Sequence, residues 1–325
     1  KSQITSFISF APPNNTYKYN TKNKKLEYYC SFYTVLFTMK ILTRQYHTIR
    51  SNYRKLQHIH FPGISSFQHG LNIQQLLVDA NLDYKSLEFK YRRIQRQRQQ
   101  ISTNTNDSSL LALKNKIENL QPLPTILTFE FDNVYAGGLR LKSEVSPNDL
   151  EGFKRIGGQY FQLERGGQVT WHGKGQLVAY LILDLKCFVK LSTKCYINNV
   201  LLKSIQNLLK KTYHLDSVVG VENPGVWIKD NKSKLLSESL KISSVGVRIR
   251  HGITEYGIAL NINPDLKYLN TFEMCGLKNK RATSIHKQLS HLPVPSVEHV
   301  GKLFVDEVAL ALEMNSVEHI NANSL

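Results

Sequence analysis

The sequence predicts an α/β fold of the α+β type: a mixed, largely antiparallel sheet flanked by helices. Three observations carry this. Residues 177–185 (LVAYLILDL) have the length and, Asp184 aside, the apolar character of a buried strand. Val300, Phe304, Val308 and Leu312 form an apolar stripe at spacing 4, the mark of a helix with one buried face. The order of the segments, with helices before, between and after a series of strands, packs helices onto one sheet.

Along the chain, a first helix is expected near 66–81 and a second near 84–100, followed by a polar loop at 102–109. Strands are expected near 125–131, 160–164, 176–185, 226–229, 242–250 and 253–263, with long helices at 196–213 and 296–312. A 325-residue chain with 41% apolar residues can bury a large core. It divides into a basic leader at 1–55, one catalytic domain at 56–315 and a C-terminal tail at 316–325.

The charge is unevenly spread. Residues 1–78 hold ten Lys or Arg and one acid, Glu27, and so carry nine of the seventeen net positive charges. A basic, acid-poor leader rich in Ser, Thr, Tyr and Asn reads as a transit region for the mitochondrial matrix, with Met39 a candidate true start; a disordered tail without function competes with that reading. No apolar run spans a membrane: the longest, 32–41, is broken by Thr34, Thr38 and Lys40 and falls short of ~20 residues. A second basic run, 85–100, carries Arg92, Arg93, Arg96 and Arg98. It suits an acidic protein, a nucleic acid or a solvated helix face, but no RNA-binding signature with interleaved aromatics accompanies it, so no nucleic-acid partner is expected.

Four cysteines, Cys30, Cys187, Cys195 and Cys275, give neither a disulfide framework nor zinc spacing, which makes a reducing compartment the default. His58 and His60 share one face of an extended strand, as surface or substrate-side histidines do, and no metal site is expected.

Chemistry concentrates in residues 165–176 (RGGQVTWHGKGQ) and in Cys275. Gly166, Gly167, Gly173 and Gly175 let the backbone approach a ligand closely, at a strand end where sites often sit. A plain hairpin rich in turn glycines is the competing reading. A thiol becomes a useful nucleophile when a neighbouring cation stabilises the thiolate, and Lys241, opening the strand before the Cys275 segment, is the candidate neighbour. A solvated lysine at a strand start is the alternative.

The string RGGQVTWHGKGQLVAYLILDL resembles the signature of the lipoyl(octanoyl) transferases, RGGxxTxHGPGQ followed by an apolar strand ending in Asp-Leu, with the fungal mitochondrial members as the nearest type. Further blocks agree in order: GVWIK at 225–229, KISSVGVRIR at 241–250, GITEYGIALNIN at 252–263, and residues 270–285 with Cys275-Gly276-Leu277 and Ala282-Thr283-Ser284. Lys174, Leu181 and Met274 stand where the family commonly has Pro, which frees an N–H and relaxes φ at each. The resemblance covers roughly 58–312 and implies the catalytic fold of lipoate and biotin protein ligases.

It also implies a reaction. Octanoyl would pass from octanoyl-acyl carrier protein to Cys275 as a thioester, then to a lysine of lipoyl domains in 2-oxoacid dehydrogenase E2 subunits and the glycine cleavage H protein, the first step of protein lipoylation, with no ATP or metal. Lys241 would serve as acid and base. His172 would orient the carbonyl, complete a proton relay, or donate to a backbone carbonyl. Arg165, Gly166, Gly167, Gln168, Thr170, His172, Gly173, Gly175, Gln176, Ser244, Val245, Gly246, Gly257, Ile258 and Ala259 are the implied substrate-binding residues. Rival readings are an ATP-dependent lipoate-protein ligase, disfavoured by the two adjacent glycines and by Cys275, a non-catalytic basic mitochondrial binding protein, and a scaffold that holds lipoyl domains without turnover.

Overall fold

The computed structural model describes residues 53–101, 108–139, 145–229, 239–270 and 281–324. Strands β1 (Lys55–Ser65), β2 (Thr125–Phe131), β3 (Val134–Gly137), β4 (Gln159–Gln162), β5 (Thr170–His172), β6 (Gln176–Ile182), β7 (Ser217–Val219), β8 (Val226–Ile228), β9 (Leu240–Arg250), β10 (Ile253–Asn261) and β11 (Ser316–Asn321) form two sheets. The larger has eight strands in the order β11-β1-β2-β6-β10-β9-β8-β7, and the smaller has the order β4-β3-β5. Pairing in the large sheet is parallel across β11, β1 and β2 and antiparallel from β2 to β7, which is the mixed, largely antiparallel sheet read from the sequence.

β6 shows why its sequence is apolar without alternation. Leu177, Ala179 and Leu181 enter one core, while Val178, Tyr180 and Ile182 enter another on the opposite face. A strand buried on both sides has no solvent face to mark with polar residues. The first core lies under α4 (Lys203–Tyr213) and α5 (Val297–Ala311), which contribute Ile205, Leu208, Leu209, Val300, Phe304 and Val308. A π-helical segment, Tyr196–Leu202, leads into α4 and bonds back to the sheet through Tyr196 Oη, 3.3 Å from the Leu181 carbonyl. The second core is closed by α1 (Phe67–Ile101) through Phe67 and Val78. A third cluster joins the small sheet, through Tyr135 and Trp171, to Phe153 of α3 (Pro147–Arg155).

Several expectations are corrected. Two helices were expected across 66–100, and one 35-residue helix stands there, because Leu82 and Asp83 between them are neither Gly nor Pro and nothing stops the first. Of the polar loop at 102–109, residues 102–107 lie outside the described residues, and Ser108 already opens α2 (Ser108–Asn119). β6 ends at Ile182, not 185, because the Asp184 carboxylate accepts from Lys186 N at 3.0 Å and caps a 3-10 turn.

The tail at 316–325 supplies β11, in parallel register from Lys55↔Ser316 to His60↔Asn321. β1 therefore lies inside the sheet. His58 and His60 are buried rather than on a surface, both bonded to Thr128 Oγ1, at 2.8 and 3.0 Å. The leader through residue 52, with Met39 and Cys30, lies outside the described residues. Among the described residues no helix is long and apolar enough to cross a membrane.

Candidate active site

The Gly-rich run leaves the small sheet after β4, returns as β5 and turns into β6, so it ties the two sheets together. Arg165 organises its first half. The side chain is buried, and its guanidinium donates to the carbonyls of Ala136 at 2.7 Å, Gly166 at 3.0 Å and Gln168 at 3.1 Å, a planar fork used on main-chain acceptors. Gly246 on β9 makes room for it: a Cβ there would stand 2.8 Å from Arg165 Cδ.

The second half closes at Gly175, where φ is +84° and a Cβ would lie 2.2 Å from the Asn263 carbonyl oxygen. Gly175 N donates to Glu130 Oε1 at 2.7 Å, and its carbonyl accepts from Ile262 N and Asn263 N at 3.1 and 2.8 Å. The loop is thus clamped to β2 and to the end of β10.

Between this loop and strands β6, β9 and β10 lies a cleft of about 480 Å³, part of it open to solvent. Of the residues expected at the site, Arg165, Gly167, Gln168, Thr170, His172, Ser244, Val245, Gly246, Gly257, Ile258 and Ala259 line it. Gly166, Gly173, Gly175 and Gln176 do not; they shape the loop from behind.

Leu163, Val178, Tyr180 and Tyr256 complete the walls and were not foreseen. Tyr256 is a non-glycine residue at φ +60° within β10, and its amide donates to Gln74 Oε1 of α1 at 2.6 Å. No local signal in the sequence marks that twist. The walls are mainly apolar, with Gly167, Gly246 and Gly257 among them, which suits an extended acyl chain better than a charged ligand.

One polar chain crosses this apolar setting. His172 Nδ1 lies 2.7 Å from Gln176 Oε1, Gln176 Nε2 donates to Asn261 Oδ1 at 2.8 Å, and Asn261 Nδ2 donates to the Thr283 carbonyl at 2.9 Å. All four residues are buried. Burial pushes the His172 pKa down to about 4; the bond to Gln176 opposes this and the Arg165 charge adds to it, so the ring is neutral near pH 7. Asn261 was not foreseen, although a polar residue inside the apolar run ALNIN was the available signal.

Lys241, at the start of β9, does not line the cleft. It is buried, with Nζ 5.2 Å from the centroid of the Trp227 ring. Its N–H donates to the Arg281 carbonyl and its carbonyl accepts from Thr283 N, both at 2.9 Å. Asn270 Oδ1 accepts from Ala282 N at 3.0 Å. The described chain on either side of 271–280 is therefore drawn together, with the resuming end bonded to Lys241. Cys275 lies outside the described residues.

Among the described residues the cysteines are Cys187, which is buried and accepts from Gln121 Nε2 at 3.5 Å, and Cys195, which is half-buried; neither lines the cleft. Among the described residues no group of three or more His, Cys, Asp or Glu is placed to hold a metal ion.

Residues 110–309 match the family model of the lipoyl protein ligase A/B catalytic domain. The chain is 35% identical over 313 residues to the mitochondrial octanoyltransferase of Saccharomyces cerevisiae, covering 90% of this chain and 92% of that protein. The chain belongs to the octanoyltransferase family. The octanoyl-[acyl-carrier-protein]:protein N-octanoyltransferase, mitochondrial, of Danio rerio is 33% identical over 181 residues, 55% of this chain and 73% of its own. The crystal structure of P. falciparum LipL1 in complex with lipoate shares the fold at a TM-score of 0.52 and 14% identity, covering 82% of this chain and 66% of that one. This octanoyltransferase is thus an acyltransferase of protein lipoylation, and its Gly-rich loop, cleft walls, Lys241 and Asn261 all fall within the matched residues.

Proposed function

We propose that this octanoyltransferase works in the mitochondrion, taking octanoyl from octanoyl-acyl carrier protein onto Cys275 and passing it to a lysine of lipoyl domains. The acceptors are the E2 subunits of 2-oxoacid dehydrogenases and the glycine cleavage H protein. The observation that carries this reading is the clasp at Lys241, whose main chain bonds Arg281 and Thr283, just past the segment that holds Cys275, on the same strand β9 that lends Ser244, Val245 and Gly246 to the mainly apolar cleft.

In the first half-reaction the Cys275 thiolate attacks the thioester carbonyl and the carrier's thiol leaves. In the second, the lysine amine attacks the acyl-enzyme, the thiolate is expelled and the amine loses a proton. Lys241 takes the Cys275 thiol proton and hands it to the departing carrier thiolate in the first half, and in the second it takes the amine proton and returns it to Cys275. Thioester to thioester to amide runs downhill, so neither ATP nor a metal is needed. Arg165, Gly167, Gln168, Thr170, Ser244, Val245, Gly246, Gly257, Ile258 and Ala259 hold the acyl group. Val178, Tyr180 and Tyr256 join them.

The relative from Danio rerio, named for an acyl carrier protein donor, supports the choice of donor. The test is the intact mass of the purified chain incubated with octanoyl-acyl carrier protein and no ATP. One octanoyl gained, absent in Cys275→Ala and discharged onto an apo lipoyl domain, is the expected result. A folded protein that binds the carrier and gains nothing overturns the Cys275 route.

A further inference from the structure

We propose that Gln176 and Asn261 are positioning residues that hold His172 as its Nδ1–H tautomer, so that the ring offers the cleft a lone pair at Nε2 and not a proton. One main-chain atom sets the polarity of the network. The Thr283 carbonyl can only accept, so the Asn261 atom 2.9 Å from it is the amide nitrogen. Asn261 Oδ1 is then left facing Gln176, whose nitrogen must donate at 2.8 Å. That turns Gln176 Oε1 toward His172, and across 2.7 Å the only compatible partner is a protonated Nδ1.

Reversing any one group sets two acceptors or two donors face to face inside a buried network, where an unmade bond costs about 1–3 kcal/mol. One carbonyl therefore fixes the polarity of three side chains. The same carbonyl belongs to the residue whose N–H bonds Lys241, so the relay joins the Gly-rich loop to the strand that carries the lysine.

The consequence selects among the roles open to His172. A ring with a lone pair at Nε2 cannot donate to a substrate carbonyl, but it can accept an N–H of the incoming lysine amine and orient it. Burial keeps the ring neutral, which preserves that lone pair near pH 7. The assignment of the amine as the donor rests on the octanoyl-transfer reading; the tautomer does not.

The experiment is a long-range proton–nitrogen correlation spectrum of the full chain with nitrogen-labelled histidines, near pH 7, with His172 assigned by its loss in His172→Gln. The expected wild-type pattern is a pyrrole-type Nδ1 and a pyridine-type Nε2. In Gln176→Leu the acceptor is gone, so the population shifts toward Nε2–H and kcat falls roughly ten-fold or more, because the amine loses the lone pair that orients it, with KM changed far less. Gln176→Glu, whose carboxyl in its neutral form can accept from Nδ1–H and donate to Asn261, restores the tautomer and much of kcat.

A wild-type His172 protonated at Nε2, or at both nitrogens, overturns the proposal whatever the variants do. So does a folded Gln176→Leu with an unchanged tautomer. Should no octanoyl transfer be found, the spectrum still decides the tautomer, and the two failures stay distinct.

Discussion

His58 and His172 are both buried, and both have their pKa depressed chiefly by that burial, to about 3 and about 4, yet the two rings are held in different ways. His58 faces His319 Nδ1 to Nδ1 at 2.8 Å and Thr128 Oγ1 at 2.8 Å, and Thr128 also meets His60. Each of these partners can donate or accept, so the protons of that cluster can be permuted without breaking a bond. The His172 chain ends on a carbonyl, which accepts and does nothing else. Burial removes a histidine's charge; a terminus of fixed polarity decides which nitrogen keeps the proton.

The largest effect expected separates the two regions by function. Cys275→Ala lowers octanoyl transfer by about three orders of magnitude or more, the scale of losing a nucleophile, and leaves both histidine environments unchanged in the labelled spectrum. A loss confined to ten-fold would move the chemistry away from Cys275.

Next in size is Gly175→Ala. The positive φ costs about 1–2 kcal/mol, and the new Cβ must push the Asn263 carbonyl away, so the loop that presents His172 shifts while the His58 cluster does not. Hydrogen exchange should show faster opening at 173–176 and at Ile262 and Asn263, with β1 unaffected. Uniform loss across both regions would mean that the clamp is a global rather than a local device.

The two histidines then predict a common pH response. Above pH ~6.5 both are neutral in the folded and unfolded chain and contribute no pH dependence. As pH falls below ~6.5 the unfolded chain binds protons that the folded one refuses, so stability is lost toward pH 4 for His172 and toward pH 3 for His58, on the order of 1 kcal/mol per pH unit each. Urea unfolding of His58→Gln between about pH 7 and about pH 5 should show a shallower decline than the wild type. Equal slopes would mean that His58 titrates alike in both states.

The smallest effect is that of His319→Phe, which removes one partly exposed bond to β1, costs about 1 kcal/mol and leaves kcat unchanged.

How much of this was legible in the sequence follows from what each element needs. β2 and β6 announce themselves because both faces are buried, and α5 because its stripe repeats every four residues. β3 and β5, of four and three residues, are too short to show a period, and β11 (SVEHIN) carries His, Glu and Asn because an edge strand need not be apolar.

At the cleft, the Gly-rich loop could be read because close backbone approach needs glycine itself. Tyr180 and Tyr256 could not, because their place depends on which way a strand faces and on one left-handed turn of φ at Tyr256. Gln176 reads from the sequence as a substrate-binding residue, yet it stands behind the cleft, and its support for His172 could not be read because its partner Asn261 lies 85 residues away.

The register of β11 on β1 bears on how the fold is completed. The two strands are 261 residues apart, and β1 has β2 on one side and β11 on the other. A chain made or threaded from its N-terminus therefore carries one open β1 edge until Ser316–Asn321 arrives, and an open edge is where strands of other molecules add. The last strand thus acts as a seal on the first, and truncation before Ser316 should favour aggregation even though the cleft residues all remain.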